Sequence, residues 1–160
     1  MYQLRKIKII FLSFTAVFYS NANVVSAKKK PNVIVIYTDD KATLDVNILG
    51  AKDLVTPNMD KLMLSGTTFT QFYASPVCSP SRASLLTGKT PQRAGVPGKA
   101  AQDVRRKSRL PPSEFPIAEM FKENGYNTYL IGKWHLGFQP EMRPNQQGFD
   151  YSFGHLVGCI

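Results

Sequence analysis

The chain has 160 residues, of which 43% are hydrophobic and 19% are charged, and this is the composition of a globular protein about one domain long. It excludes a low-complexity or repeat protein, because no biased block or internal repeat is present. The net charge of +9 suits an acidic substrate, although it also serves solubility. Nucleic acid is not indicated, because no binding motif or interleaving of basic and aromatic residues accompanies the charge.

The first residues predict a secretory signal peptide, residues 1–27. A basic stretch is followed by an apolar stretch, and Val25-Ser26-Ala27 precedes the expected cleavage point. The apolar run is too short for a comfortable membrane span, so an uncleaved anchor is the less favoured alternative. The mature chain, residues 28–160, would be secreted or periplasmic, with 17 basic and 11 acidic residues and a net charge of +6.

The first expected element of the fold is a strand at residues 33–37. This run is apolar and β-branched throughout, which is typical of a parallel strand buried on both faces. Asp39 and Asp40 follow at the carboxyl end, where ligands gather in open α/β sheets. Adjacent carboxylates repel unless a cation or hydrogen bonds offset the charge, and hard oxygen donors suit Ca²⁺ or Mg²⁺. On these residues alone, a turn or a helix cap is the commoner role.

The segment from Thr56 to Gly66 predicts a helix, with a threonine cap, a proline in the first turn and a closing glycine. Three apolar side chains on one face of this helix are expected in the core: Met59, Leu62 and Met63. Polar and apolar residues alternate sufficiently over residues 67–73 to predict a second strand, which leads to Cys78.

Residues 78–88 carry the functional prediction. The Ser-Pro pair after Cys78 indicates a helix start, and Gly88 indicates its end. The helix would hold Cys78 at its N-terminal end and Arg82 one turn later. Unpaired N–H groups, the positive end of the helix dipole and a guanidinium then meet at one spot, which is a site for an anion.

The chain from Gly88 to Leu110 predicts a loop, and it contains a basic run at residues 105–109. A solvated loop is the favoured interpretation of this run, and a rim that attracts a polyanion is the alternative. A further helix is expected over residues 116–124, with Gly125 as its stop. Its apolar stripe would consist of Ile117, Met120 and Phe121.

A β-rich segment at residues 126–131 leads into Gly132-Lys133-Trp134-His135-Leu136-Gly137. Because Lys133 and His135 are two residues apart on an extended segment, both side chains are expected on the same face, within reach of one anionic group. On its own, a lone histidine beside a tryptophan is more often structural. His155 is interpreted as structural or exposed.

These motifs resemble those of the formylglycine-dependent sulfatases. The segment Cys78-Ser79-Pro80-Ser81-Arg82, with the Leu-Thr-Gly that follows, is similar to the modified-cysteine motif of that family. The Gly-Lys-Trp-His-Leu-Gly element, the Pro-Asn strand that ends in Asp-Asp, and Gly-Phe-Asp at residues 148–150 are also similar. The resemblance extends from about Pro31 to the end of the chain.

The resemblance implies that a maturation enzyme oxidises Cys78 to formylglycine, whose hydrate is the nucleophile. It also implies that Asp39 and Asp40, together with the modified Cys78, bind a divalent cation, Ca²⁺ in preference to Mg²⁺. Arg82 and Lys133 would offset negative charge, and His135 would orient or deprotonate the hydrate. One hydroxyl of the hydrate would take the sulfuryl group, and the other would then expel sulfate as the aldehyde re-forms.

The two cysteines have a second interpretation. In an exported chain, a disulfide between Cys78 and Cys159 would be favoured if the surrounding motif were absent. The resemblance instead makes Cys78 the modified residue and leaves Cys159 for a partner beyond the chain.

The expected fold class is α/β, a mostly parallel sheet flanked by helices, which the resemblance makes an incomplete alkaline-phosphatase-like sandwich. Residues 28–160 would be the N-terminal part of a sulfatase catalytic domain that is inactive alone. The expected reaction is hydrolysis of sulfate monoesters on a small molecule or a polysaccharide. The alternatives are a phosphonate or phosphate ester hydrolase that uses the same modified cysteine, and a secreted glycan-binding remnant in which Cys78 stays a thiol.

Overall fold

The computed structural model describes residues 29–100 and 108–158. The predicted signal peptide, the first three residues of the basic run and Cys159 lie outside the described residues. Contacts divide the chain into two units, with the boundary in the sequence between Tyr37 and Thr38. The described helices and strands are α1 (Pro57–Leu64), α2 (Cys78–Thr87), α3 (Ile117–Glu123), β1 (Tyr129–Lys133) and β2 (Tyr151–His155), with 3-10 turns at Asn47–Leu49, Pro140–Met142 and Pro144–Gln146.

Two of the strand predictions are wrong. Residues 33–37 and 67–73 form no strand in the described structure, and the apolar side chains of the first segment are between 37% and 84% exposed. A strand exists through backbone pairing with a neighbour, and each segment lacks such a pairing within its own described unit. The β-branched composition therefore predicted a strand, but the described unit supplies no neighbouring strand for it to pair with.

Helix α1 begins at Pro57, as predicted, but its apolar face is not in the core. None of its residues is buried, and Leu62 is 61% exposed, so the predicted core role of Met59, Leu62 and Met63 is wrong. Thr56 lies at the N-cap position without capping the helix through its side chain. Its hydroxyl instead donates to Asp60 and accepts from the backbone N–H of Asn47, which ties α1 to the neighbouring 3-10 turn.

Helix α2 spans Cys78–Thr87, and its end agrees with the prediction. Gly88 has a φ of 65°, and its N–H donates to the carbonyl of Ser84 at 2.9 Å. The left-handed conformation favours glycine at this position. The helix begins two residues before Pro80, so the proline lies in the first turn. Backbone N–H groups there have no intrahelical partner, and the proline therefore costs no hydrogen bond.

Strands β1 and β2 form a parallel pair in which Tyr129 is opposite Tyr151 and Lys133 is opposite His155. β1 lies two to three residues later than predicted, and β2 was not predicted as a strand. A polar clamp precedes both strands: Thr128 N donates to Asp150 Oδ2 at 2.9 Å, and Asp150 N donates to Thr128 O at 2.9 Å. This clamp gives Asp150, in the Gly-Phe-Asp segment, a role in setting the register of the sheet.

The described core is formed by α2, α3, the loop between them and the segments that follow β1 and precede β2. Its buried members are Ala83, Ala94, Val96, Leu110, Ala118, Trp134, Leu136 and Phe149. Trp134 is 1% exposed, its ring meets that of Phe149 edge to face, and its Nε1 donates to the carbonyl of Met142 at 3.0 Å. Of the stripe predicted for α3, Met120 is exposed, and the buried residue is Ala118. This packing fixes the chain on either side of His135.

Candidate active site

Four of the predicted site residues meet at the N-terminal part of α2 and the end of β1. Cys78 and Arg82 come from α2, Lys133 is the last residue of β1, and His135 lies two residues beyond it. Asp39, which lies 94 residues before Lys133 in the chain, joins them. The structure therefore brings together side chains that the sequence placed in three separate motifs.

Cys78 is the first residue of α2, and its Sγ lies 3.2 Å from Nδ1 of His135. The sulfur is that of a free cysteine and is half-buried. Its place at a helix N-terminus exposes it to the positive end of the helix dipole, which stabilises negative charge on the group at this position.

His135 is 1% exposed and adopts a φ of 56° just after β1. Its Nε2 lies 3.0 Å from the carbonyl oxygen of Ala100, which can only accept a hydrogen bond. The proton of the neutral imidazole is therefore assigned to Nε2, and the lone pair of Nδ1 faces Cys78. Burial lowers the pKa of His135, an effect that the Ala100 carbonyl opposes and that the charges of Lys133, Lys99 and Arg82 reinforce.

Gly158 lies against the imidazole of His135. A Cβ atom added at this glycine would lie 2.5 Å from Cε1 and 2.8 Å from Nε2 of the ring. The backbone N–H of His135 also donates to the carbonyl of Leu156 at 3.2 Å. The segment after β2 thus forms one wall of the site, and it holds the ring against Cys78.

Asp39 forms the acidic centre of a cluster with two cations. Its Oδ2 lies 2.6 Å from Nζ of Lys133 and 3.4 Å from a guanidinium nitrogen of Arg82. The hydrogen bond from Lys133, with the charges of both cations, holds the pKa of Asp39 below its ordinary value of 3.8. Burial by itself would lower the pKa of Lys133, but Asp39 and Cys78 outweigh it and the pKa is raised.

Arg82 links α2 directly to the end of β1. Its NH1 donates to the backbone carbonyl of Lys133 at 2.6 Å, and only 13% of the Arg82 side chain is exposed. One guanidinium therefore contacts both the carboxylate of Asp39 and the strand end that carries Lys133. The planar fork of arginine allows two such contacts at once, and a lysine ammonium does not offer that geometry.

The predicted metal ligands fit a cation in kind but not in number. The pKa of Asp39 is lowered from 3.8, and Asp40 is exposed with a φ of 51°, so two carboxylates adjacent in the sequence offer the hard oxygen donors that calcium takes. Among the described residues, however, no group of three or more His, Cys, Asp or Glu side chains could hold a metal. Asp39 and Asp40 would supply part of a coordination shell, and Asp40 makes no contact with the cationic cluster in the described structure.

Strand alternation predicts that Lys133 and His135 point to one face. The strand ends at Lys133, and the left-handed backbone of His135 breaks the alternation. The two side chains reach one site by separate contacts, Lys133 with Asp39 and His135 with Cys78. Ala100 and Gly158 were missed because they act through a backbone carbonyl and the lack of a side chain.

The fold around this site is α/β, with a parallel pair of strands flanked by helices, as predicted. Residues 31–158 match the family model described as Sulfatase. The chain therefore belongs to the sulfatase family. Among its described helices, none is long and apolar enough to cross a membrane.

Curated relatives agree with this membership. The chain is 39% identical to mouse Arylsulfatase G over 163 residues, a match that covers 96% of this chain and 31% of the relative. It is 38% identical to N-acetylgalactosamine-6-sulfatase of Canis lupus familiaris, with 80% of this chain and 26% of the relative covered. The chain thus spans less than a third of the length of these two relatives.

Solved structures show the same relationship. The crystal structure of Ps i-CgsB superposes with a TM-score of 0.72 at 41% identity, covering 81% of this chain and 29% of that one. The same protein in complex with k-i-k-neocarrahexaose superposes with a TM-score of 0.67 at 39% identity, covering 75% of this chain and 27% of that one.

Proposed function

We propose that this chain is the N-terminal part of the catalytic domain of an exported sulfatase that hydrolyses sulfate monoesters through formylglycine at position 78. The observation that carries the proposal is the 3.2 Å approach of Cys78 Sγ to Nδ1 of His135, beside the cations Lys133 and Arg82. A nucleophile, a base and positive charge are the groups that this reaction needs together.

The base in this arrangement is His135. Its Nδ1 lone pair faces position 78, and its lowered pKa keeps the imidazole neutral near pH 7. A neutral ring can accept a proton from the group at position 78, whereas an imidazolium cannot. The carbonyl of Ala100 holds Nε2 and so prevents the ring from presenting an N–H to the nucleophile.

The cations stabilise charge in the transition state. Lys133 and Arg82 are only 13% exposed, so their charges act in surroundings with less water than at an open surface. Lys133 and Arg82 both form ion pairs with Asp39 in this structure, and these ion pairs hold the two cations beside Cys78. An incoming sulfate group would share these cations with Asp39.

Asp39 and Asp40, together with the modified Cys78, would hold a divalent cation, with Ca²⁺ favoured by the hard carboxylate donors. When present, formylglycine supplies the nucleophilic hydroxyl, and the cation supplies positive charge for the sulfate oxygens. The remaining ligands and the acid that protonates the leaving group would come from outside residues 28–160, so we expect this chain alone to be inactive.

The substrate class is proposed to be a sulfated carbohydrate. The relatives include an N-acetylgalactosamine-6-sulfatase and a structure in complex with k-i-k-neocarrahexaose. The positive charge of the chain and the predicted signal peptide, residues 1–27, agree with an anionic substrate outside the cytoplasm. We therefore propose secretion or export to the periplasm, where a sulfated polysaccharide or small molecule is met.

Peptide mass after coexpression with a formylglycine-generating enzyme tests the modification. Trypsin should release residues 62–82, which contain a single cysteine, Cys78. Replacement of CH₂–SH by an aldehyde lowers the mass of this peptide, and Cys78→Ala is the control that cannot be converted. A peptide found only as the thiol would contradict the proposal. Turnover of an aryl sulfate by the matured 160-residue chain would overturn its inactivity and support the reaction.

A further inference from the structure

Ser79 is fully buried in the first turn of α2, and the hydrogen-bond partner of its hydroxyl lies outside the cationic cluster. The Oγ atom instead accepts a hydrogen bond from the backbone N–H of Ala100, at 3.0 Å. A buried hydroxyl loses its water contacts, so a specific protein partner is needed to offset that loss. Ser79, which is adjacent to Cys78 in the sequence, thus fixes the backbone of Ala100.

Ala100 is fixed on its other side by the site histidine. Its carbonyl oxygen lies 3.0 Å from Nε2 of His135, and Ala100 itself is 2% exposed. The opposite nitrogen of the same ring, Nδ1, lies 3.2 Å from Cys78 Sγ. Because Cys78 and Ser79 are adjacent, these contacts form a closed circuit from Cys78 through His135 and Ala100 to Ser79.

We propose that Ser79 is a positioning residue, which acts through the backbone of Ala100 to hold His135 in the tautomer that presents its Nδ1 lone pair to position 78. The carbonyl of Ala100 selects this tautomer, since it accepts a proton and cannot donate one. The hydroxyl of Ser79 keeps that carbonyl in place, because it holds the N–H of the same residue. The catalytic value of this arrangement rests on the function proposed above, but the arrangement itself does not.

The chain allows a direct measurement of the tautomer because it contains only two histidines, His135 and His155. Ring ¹⁵N spectra of the histidine-labelled 160-residue chain distinguish a protonated from an unprotonated Nε2 or Nδ1. They are recorded at pH 8, on the thiol form of Cys78, and His155→Gln assigns the signals. We expect wild-type His135 to be protonated almost wholly at Nε2.

Three variants then test the role of Ser79. In Ser79→Ala we expect the Nδ1-protonated form of His135 to rise several-fold, since Ala100 is no longer held. Ser79→Thr, which keeps a hydroxyl, should restore the wild-type spectrum. Ser84→Ala is the matched control, because it removes a hydroxyl from the same helix that forms no side-chain hydrogen bond in the described structure.

The proposal is overturned if Ser79→Ala has the wild-type spectrum, or if Ser84→Ala changes the spectrum equally. It is also overturned if wild-type His135 is protonated mainly at Nδ1, and this outcome does not depend on any Ser79 variant folding. Since the spectra require neither conversion of Cys78 nor a substrate, their outcome is separate from that of the peptide-mass test of the proposed function.

Discussion

The ammonium of Lys133 lies 2.6 Å from the carboxylate of Asp39, although 94 residues separate the two in the chain. The same carboxylate oxygen is 3.4 Å from Arg82, so one acid joins a strand end, a helix and the segment after Tyr37. Asp39 is also one of the three residues that the resemblance assigns to a cation. The ion pair therefore holds the site together at the point where a metal would contribute its charge.

The first prediction concerns this pair. In Lys133→Met, the pKa of Asp39 should rise toward 3.8, because the hydrogen bond that lowers it most is removed. Since 38% of the Asp39 side chain is exposed, solvent screening limits the loss of stability to about 1 kcal/mol or less. A carboxyl ¹³C titration measures the shift. Lys89→Met breaks the Lys89–Glu114 pair of equal length and should leave Asp39 unchanged. An unaltered titration in Lys133→Met would contradict the prediction.

The second prediction concerns Arg82. Arg82→Lys should lower the free energy of unfolding by about 1–3 kcal/mol, because a lysine cannot reach both the Lys133 carbonyl and Asp39. Urea denaturation provides the measurement. Arg143→Lys is the control. Arg143 is exposed, and its one side-chain hydrogen bond among the described residues, to a carbonyl, is 3.5 Å long, so the effect should stay within about 0.5 kcal/mol. Equal effects of the two substitutions would argue against a bridging role for Arg82.

The helices could be predicted from the sequence because their signals are local. Pro57 near a helix start and Gly88 at a helix end act through their own backbone, so α1 and α2 have nearly the predicted bounds. The strand predictions for residues 33–37 and 67–73 failed because pairing is not local. For the same reason β2 was missed: its pairing with β1 depends on the clamp between Thr128 and Asp150.

The part of the site that could be predicted consists of side chains that belong to recognisable sequence motifs. Cys78, Arg82, Lys133 and His135 were named from the sequence, and they meet. The path by which His135 reaches Cys78 was not predictable, because it depends on a left-handed backbone after β1 and on the carbonyl of Ala100. A backbone carbonyl leaves no mark in the sequence. The metal roles of Asp39 and Asp40 remain predictions.

The third prediction tests the cation. Calcium at one hundred times its dissociation constant should stabilise the chain by about 2.7 kcal/mol, seen as a rise in Tm after treatment with a chelator. Asp40→Asn should reduce this gain without lowering the metal-free Tm, because Asp40 lies outside the ion-pair cluster and asparagine tolerates its φ of 51°. Asp53→Asn, in an exposed loop, should keep the full gain. A calcium gain that Asp40→Asn leaves intact would remove Asp40 from the site.

The fourth prediction concerns pH. Burial lowers the pKa of His135 in the folded chain below 6.5, the ordinary value that applies when the chain is unfolded. The unfolded chain therefore binds the proton more readily, and stability present above pH 6.5 is lost as the pH falls through the folded pKa. The change in the free energy of unfolding that this one group contributes cannot exceed about 1.4 kcal/mol per pH unit. Denaturation between pH 8 and pH 5 should show this loss, and His135→Gln should flatten it, whereas His155→Gln should preserve it. A pH dependence that is the same in His135→Gln and the wild type would be the contrary result.

The fifth prediction concerns the sheet that carries the site. Gly154 has a φ of 144°, and a Cβ atom there would run into the carbonyl oxygen of Gly132 on β1. Gly154→Ala should therefore lower the free energy of unfolding by about 2 kcal/mol or more, because a backbone atom cannot yield as a flexible side chain does. Gly66→Ala, whose Cβ would meet nothing closer than 3.9 Å, should stay within about 1 kcal/mol of the wild type. Since β1 ends at Lys133, a displaced strand should also disturb the ring signals of His135. Normal stability with wild-type ring signals in Gly154→Ala would show that the close approach of the two strands does not position the site.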